Sequence, residues 1–213
     1  MLVNGRPLAI RWIAEHVPAV LETWNSGEKG GDAVADILFG DYNPSGRLSV
    51  TIPRHAGQLP MYYDYSPTKV SRNRSGYIDL EPGPLYEFGF GLGYTEFGYE
   101  NFMITPAEIK PGGHLTVSVD IVNTGDRAGA EVVQLYINDV LSSVTTPVKT
   151  LRGYEKIMLD PGERQTVEFD LGPDELSMLD RHLERIVEPG EFEVMIGRSS
   201  EDIKHKGTFN VMR

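Results

Sequence analysis

The sequence predicts a mainly β chain, an immunoglobulin-like β-sandwich preceded by a partial α/β segment. Three observations point there. Segments of alternating apolar and polar residues recur from Leu115 onward, turn signals rich in Pro and Gly separate them, and one amphipathic helix with flanking glycines lies within the first fifty residues.

The first piece opens on an apolar strand-like Leu2-Val3, closed by a turn at Asn4-Gly5. An apolar stretch follows from Val17 to Trp24, and Gly30-Gly31 lead into Asp32-Ala-Val-Ala-Asp-Ile-Leu-Phe39. There Ala33, Val34, Ile37 and Leu38 recur at helical spacing, with Asp32 as the expected N-cap and Gly40 as the stop. Asn43-Pro-Ser-Gly46 reads as a turn and Leu48-Ser-Val-Thr-Ile52 as a strand ended by Pro53. Two or three short strands and one good helix are few for a covered parallel sheet. The expectation is that the missing strands lie upstream in a longer protein or in a partner chain, and that the unpaired edge self-associates or is covered.

Residues 66–100 carry many Pro, Gly, Tyr and Asp and read as an ordered connection between domains at 1–65 and 101–213. Tyr62, Tyr63, Tyr65, Tyr77, Tyr86, Phe88, Phe90, Tyr94 and Phe97 in and beside it offer apolar area, so the expectation is packing along a surface.

Within the last piece the expected strands are Leu115-Thr-Val-Ser-Val-Asp-Ile-Val122, Ala130-Glu-Val-Val-Gln-Leu-Tyr-Ile137, Lys156-Ile-Met-Leu159, Gln165-Thr-Val-Glu-Phe-Asp-Leu171 and Glu191-Phe-Glu-Val-Met-Ile196. Lys110-Pro-Gly-Gly, Asn123-Thr-Gly-Asp, Asp160-Pro-Gly-Glu and Glu188-Pro-Gly-Glu supply the turns, and residues 173–180 read as a helical turn between strands.

Composition narrows the function. With 31 acidic and 20 basic side chains among 213 residues, the net charge of −11 repels phosphate backbones, so nucleic acid is not an expected partner. The basic stretch from Lys69 to Arg74 is short and reads as a solvated loop. A 40% hydrophobic content without a long apolar run predicts a soluble globular chain and no membrane partner. Cysteine is absent, which removes thiol chemistry and disulfides. The apolar start is too short for a signal peptide, leaving cytoplasmic placement or export within a longer protein open. His16, His55, His114, His182 and His205 show no metal-ligand spacing, and no cofactor motif survives: Gly89-Phe-Gly-Leu-Gly93 is not followed by a helix. Asn73-Arg-Ser75 fits a glycosylation acceptor, a pattern too short to carry weight alone.

One run is long and specific. Gly40-Asp-Tyr-Asn-Pro-Ser-Gly-Arg-Leu-Ser-Val-Thr-Ile-Pro53 resembles the late α/β-sandwich domain of the family 3 glycoside hydrolases, the β-glucosidases, β-xylosidases and relatives. Leu2-Val-Asn-Gly-Arg-Pro-Leu8, Trp24 with Gly27-Glu-Lys-Gly-Gly31, Gly57-Gln-Leu-Pro60 and Leu85-Tyr-Glu-Phe-Gly-Phe-Gly-Leu-Gly-Tyr-Thr-Glu-Phe97 follow the same order. Glu131-Val-Val-Gln-Leu-Tyr136, Pro147-Val-Lys-Thr-Leu-Arg-Gly153, Leu159-Asp-Pro-Gly-Glu163 and Val187-Glu-Pro-Gly-Glu-Phe192 resemble the fibronectin-III-like sandwich that closes many of these enzymes. Arg11 stands where the family commonly has Pro, and Gly93 where it commonly has Ser; neither removes a reacting group.

The resemblance implies a retaining glycosidase, which needs two carboxylates about 5–5.5 Å apart. It also implies that both lie outside this sequence, the nucleophilic Asp on a preceding barrel and the acid/base Glu upstream of Leu2. Glu15, Glu22, Glu28, Asp32, Asp36 and Asp41 read as solvated charges rather than a substitute pair. Trp24, beside Glu28 in a glycine-rich loop, is the candidate substrate-binding residue, since a Trp face can stack on a sugar; the competing reading is a core position. The expected function is therefore the C-terminal portion of a β-glucosidase-like enzyme, structural and cleft-shaping and inactive alone, meeting its β-linked glycoside through the complete enzyme. A stand-alone carbohydrate-binding or interaction module, or one subunit of a split glycosidase completed by a barrel chain, are the alternatives.

Overall fold

The computed structural model describes residues 1–67 and 80–213. The basic stretch at 69–74, the acceptor at 73–75 and Tyr77 lie outside the described residues.

Strands β1 (Leu2–Val3) and β2 (Leu21–Glu22) pair in parallel, Leu2 opposite Leu21, with helix α1 (Arg11–His16) in the crossover. The sequence pattern did not announce α1, whose six residues give less than two turns of periodicity. Helix α2 spans Gly30–Phe39 and ends at Gly40, held left-handed at φ 84°, as its stop signal requires. Its start differs from expectation: Lys29 occupies the N-cap, and Asp32 sits in the first turn, where its charge still favours the positive end of the helix. The expected strand at residues 48–52 is instead an extended run joined to the connection by a single bridge, Ile52 with Tyr86, and by the Leu48 and Gly89–Phe90 backbone bonds.

The sandwich has a five-stranded sheet ordered β4-β12-β11-β6-β7 and a three-stranded sheet ordered β3-β5-β8. Their bounds are β3 (Phe97–Thr105), β4 (Glu108–Ile109), β5 (Leu115–Asn123), β6 (Gly129–Asp139), β7 (Thr150–Leu159), β8 (Arg164–Leu171), β11 (Gly190–Gly197) and β12 (Ile203–Val211). Pairing is antiparallel except between β12 and β4. The one-turn helix α3 (Pro173–Leu176) falls where the helical turn was expected, followed by the short pair β9 (Met178–Leu179) and β10 (Arg185–Ile186). Alternate residues of β5, Leu115, Val117, Val119 and Ile121, face Val133 and Leu135 of β6 and Val194 and Ile196 of β11 in one core. Each such side chain contributes about 1.5–3 kcal/mol on burial.

The connection packs as its aromatics suggested, over the outer face of the larger sheet. Tyr63 stacks on Phe88 at 4.2 Å and meets Tyr136 of β6 edge-on at 5.9 Å. Tyr136 is fully buried there and donates to Gln134 Oε1 at 2.6 Å, while Gln134 Nε2 donates to the carbonyls of Gly89 and Arg198. Ser200 N donates to Phe88 O at 2.9 Å, and Ser199 Oγ to Glu87 at 2.6 Å, so the loop after β11 clasps the same segment.

Candidate functional site

Pairing β1 with β2 brings together the two loops that leave the carboxyl ends of these parallel strands. Gly5, at φ 86°, donates its N–H to Trp24 O at 2.9 Å, and Thr23 N donates to Val3 O at 2.9 Å. Trp24 itself is left-handed at φ 49°, a costly conformation for an aromatic residue, and its N–H is held by Glu22 Oε1 at 2.9 Å. Between the loops lies an open depression of about 650 Å³ lined by Asn4, Gly5, Arg6, Leu8 and Asn25. In open α/β sheets ligands settle in the crevice outside the carboxyl ends of the strands, the position this depression occupies.

Trp24, next in the chain to the lining residue Asn25, is half-buried and is not itself among the lining residues, so it is neither a closed core position nor a free surface one. Glu28 lies exposed four residues on. Arg6, Asn4 and Asn25 are the lining polar groups that sequence reading missed; Asn25 lies about 20 positions beyond the other two in the chain, and the pairing of Leu2 with Leu21 brings it to them.

The acids of this region have partners that fit a solvated surface. Glu15 pairs with Arg11 at 2.7 Å, and the hydrogen bond from that guanidinium holds its carboxyl below the usual range. Asp32 reaches Lys29 at 3.2 Å, and Glu22 is occupied by Trp24 N. A general acid for glycoside cleavage needs the opposite, a carboxyl pushed up. Burial does push up Asp139, at the end of β6, with the charge of Glu188 adding to it; its Oδ1 accepts Leu141 N at 3.2 Å in a sandwich turn. Among the described residues no group of three His, Asp or Glu could hold a metal ion.

Residues 1–94 match the model of the glycosyl hydrolase family 3 C-terminal domain, and residues 131–200 that of the fibronectin type III-like domain. A periplasmic β-glucosidase of Salmonella typhimurium is 44% identical over 219 residues, aligned with 100% of this chain and 28% of its own length. A β-xylosidase of Formosa agariphila is 45% identical across 96% of this chain and 28% of itself. The chain belongs to glycoside hydrolase family 3.

Solved β-glucosidase structures share its shape. A β-glucosidase from Erythrobacter marinus superposes with a TM-score of 0.93 at 44% identity over 99% of this chain and 28% of that one. A Listeria innocua β-glucosidase in complex with glucose gives 0.91 at 38% identity over 100% of this chain and 31% of that one. This family 3 chain thus spans under a third of the length of its relatives, and its mainly β architecture is that of their C-terminal domain followed by the fibronectin-III-like sandwich. None of its described helices is long and apolar enough to cross a membrane.

Proposed function

We propose that this chain is the C-terminal portion of a β-glucosidase-like family 3 enzyme hydrolysing O-glycosyl bonds, that it shapes the sugar cleft, and that it does not hydrolyse glycosides alone. The observation that carries the reading is the depression between the Asn4 and Trp24 loops, at the carboxyl ends of β1 and β2. Alignment of the whole chain with β-glucosidases and β-xylosidases supports it. In this reading Trp24 borders the subsite past the scissile bond and offers an apolar ring to a β-linked sugar, and the reacting carboxylates come from the rest of the enzyme, whether in one polypeptide or from a separate barrel chain docked on the β1–β2 edge. Purified chain incubated with an aryl β-glucoside is expected to release no phenol above the blank. Release abolished by a point substitution within the chain would overturn the reading.

A second reading, a stand-alone carbohydrate-binding module, is favoured by Tyr62 and Tyr154, which expose 66% and 68% of their surface. Calorimetry against soluble β-glucans separates the two, since a cleft fragment gives no heat and a module does.

A further inference from the structure

Two arginines converge on one serine at the side of the sandwich. Arg152 of β7 donates from Nη2 to Ser177 O at 3.3 Å, and Arg185 of β10 donates from Nη1 to Ser177 Oγ at 2.9 Å. Ser177 is 5% exposed, Arg152 half-buried and Arg185 exposed, so the pair sits on a fixed floor with an open mouth. The hydroxyl and carbonyl that hold them are neutral, and the like charges are left facing each other.

Among the described residues neither guanidinium has a carboxylate ion pair, in a chain with 31 acidic side chains against 20 basic ones. Glu175 is the acid whose field reaches Arg152, but its Oε2 accepts Gly172 N at 2.9 Å as a helix cap. Asp180, next along, is held by the N–H groups of His182 at 2.7 Å and Glu184 at 2.9 Å. The buried Nε of Arg152 finds no acceptor at all among the described residues. Burial, and then the like charge of Arg185, hold the Arg152 guanidinium below its usual value, with Glu175 and Tyr63 opposing the shift only in part. Packing two guanidiniums together is unfavourable unless something negative bridges them, and their planar forks match a two-oxygen acceptor.

We propose that Arg152 and Arg185 form a binding site for a small oxyanion, a carboxylate, sulfate or phosphate group, seated above Ser177. Ser177 fixes one donor of each arginine, and the remaining N–H groups reach the ligand. A sugar acid and a free inorganic anion share this chemistry.

Titration calorimetry of the full chain against sodium glucuronate, sulfate and phosphate, each with chloride at equal ionic strength as reference, tests the site. Saturable binding by at least one is expected, weakened about tenfold in Arg185→Gln and by less in Arg185→Lys, which keeps the charge but loses the fork. Arg185 is exposed, so its variant keeps the fold intact where Arg152→Gln disturbs β7. Tighter glucuronate assigns the site to a sugar carboxylate, and tighter sulfate or phosphate to an inorganic oxyanion. No saturable binding beyond chloride, or equal binding by Arg185→Gln, overturns the proposal.

Discussion

Arg47 and Glu131, 84 residues apart in the chain, meet inside the end of the sandwich, where Nη2 of the arginine lies 3.2 Å from both carboxylate oxygens. Glu131 is fully buried on the core face of β6 and also accepts Tyr99 Oη at 3.2 Å, with Arg198 Nε 3.7 Å away. Arg47 belongs to the Pro-Ser-Gly-Arg turn that follows α2, so this pair anchors the first segment to the sandwich. Removing one partner strands a buried charge. Arg47→Met is expected to lower unfolding stability by about 3 kcal/mol, and Arg47→Met with Glu131→Leu by distinctly less than the sum of the single changes. Urea titration of the four-member cycle gives the answer, and additive losses would refute the anchor.

Gly89 makes a second seam between the connection and β6. Its φ is 82°, and an added Cβ would lie 2.1 Å from Gln134 Oε1, the side chain that Tyr136 and the Gly89 carbonyl depend on. Gly89→Ala is expected to cost about 2 kcal/mol or more from the backbone and the collision together. Gly31, in α2 with open space at its Cβ, is the control: Gly31→Ala is expected to gain about 0.5 kcal/mol. Thermal denaturation of both reads the contrast in sign.

Strands whose burial alternates cleanly were legible, and those interrupted by a bulge or by polar positions were not. β5 buries every second residue from Leu115 to Asn123, a pattern visible in the sequence. β3 was missed because its register shifts after Glu100, where Asn101 turns left-handed at φ 51°, and the alternation breaks in mid-strand. β12 was missed because Lys204, His205 and Lys206 dilute the signal until Phe209 and Val211 reach the core. Residues 48–52 failed in the other direction, since alternation without a full partner strand makes only a bridge. Of the depression's lining, Asn4, Arg6 and Asn25 required a tertiary pairing that no local pattern encodes, and Trp24, the residue singled out from the sequence, is not among them.

Asp139 gives a pH-dependent prediction. Burial and the charge of Glu188 raise its carboxyl above the ordinary 3.8, so the folded chain binds this proton more tightly than the unfolded one. Its stabilising contribution is complete below the unfolded value and is lost as pH rises through the folded one. Asp139→Asn keeps an oxygen for Leu141 N and removes the charge. At pH 7 the variant is expected to melt above the parent, the gap narrowing as pH falls toward 3.8. A constant gap across that range, or a parent that melts higher at pH 7, would contradict the assignment.

Apolar surface on the first segment sets the last expectation. Trp12 is 67% exposed and stacked on His16 at 4.5 Å, while Leu38 and Phe39 at the end of α2 are 63% and 85% exposed. Such side chains on short elements beside a two-stranded parallel sheet are candidates for burial by another surface, and water is a poor neighbour for them. The isolated chain is therefore expected to self-associate with concentration in sedimentation velocity. Trp12→Lys together with Phe39→Asp is expected to shift it toward monomer while leaving the sandwich's melting transition in place, because neither residue contributes to the core between the two sheets. A parent that stays monomeric across the concentration series would show that this face tolerates water and needs no cover.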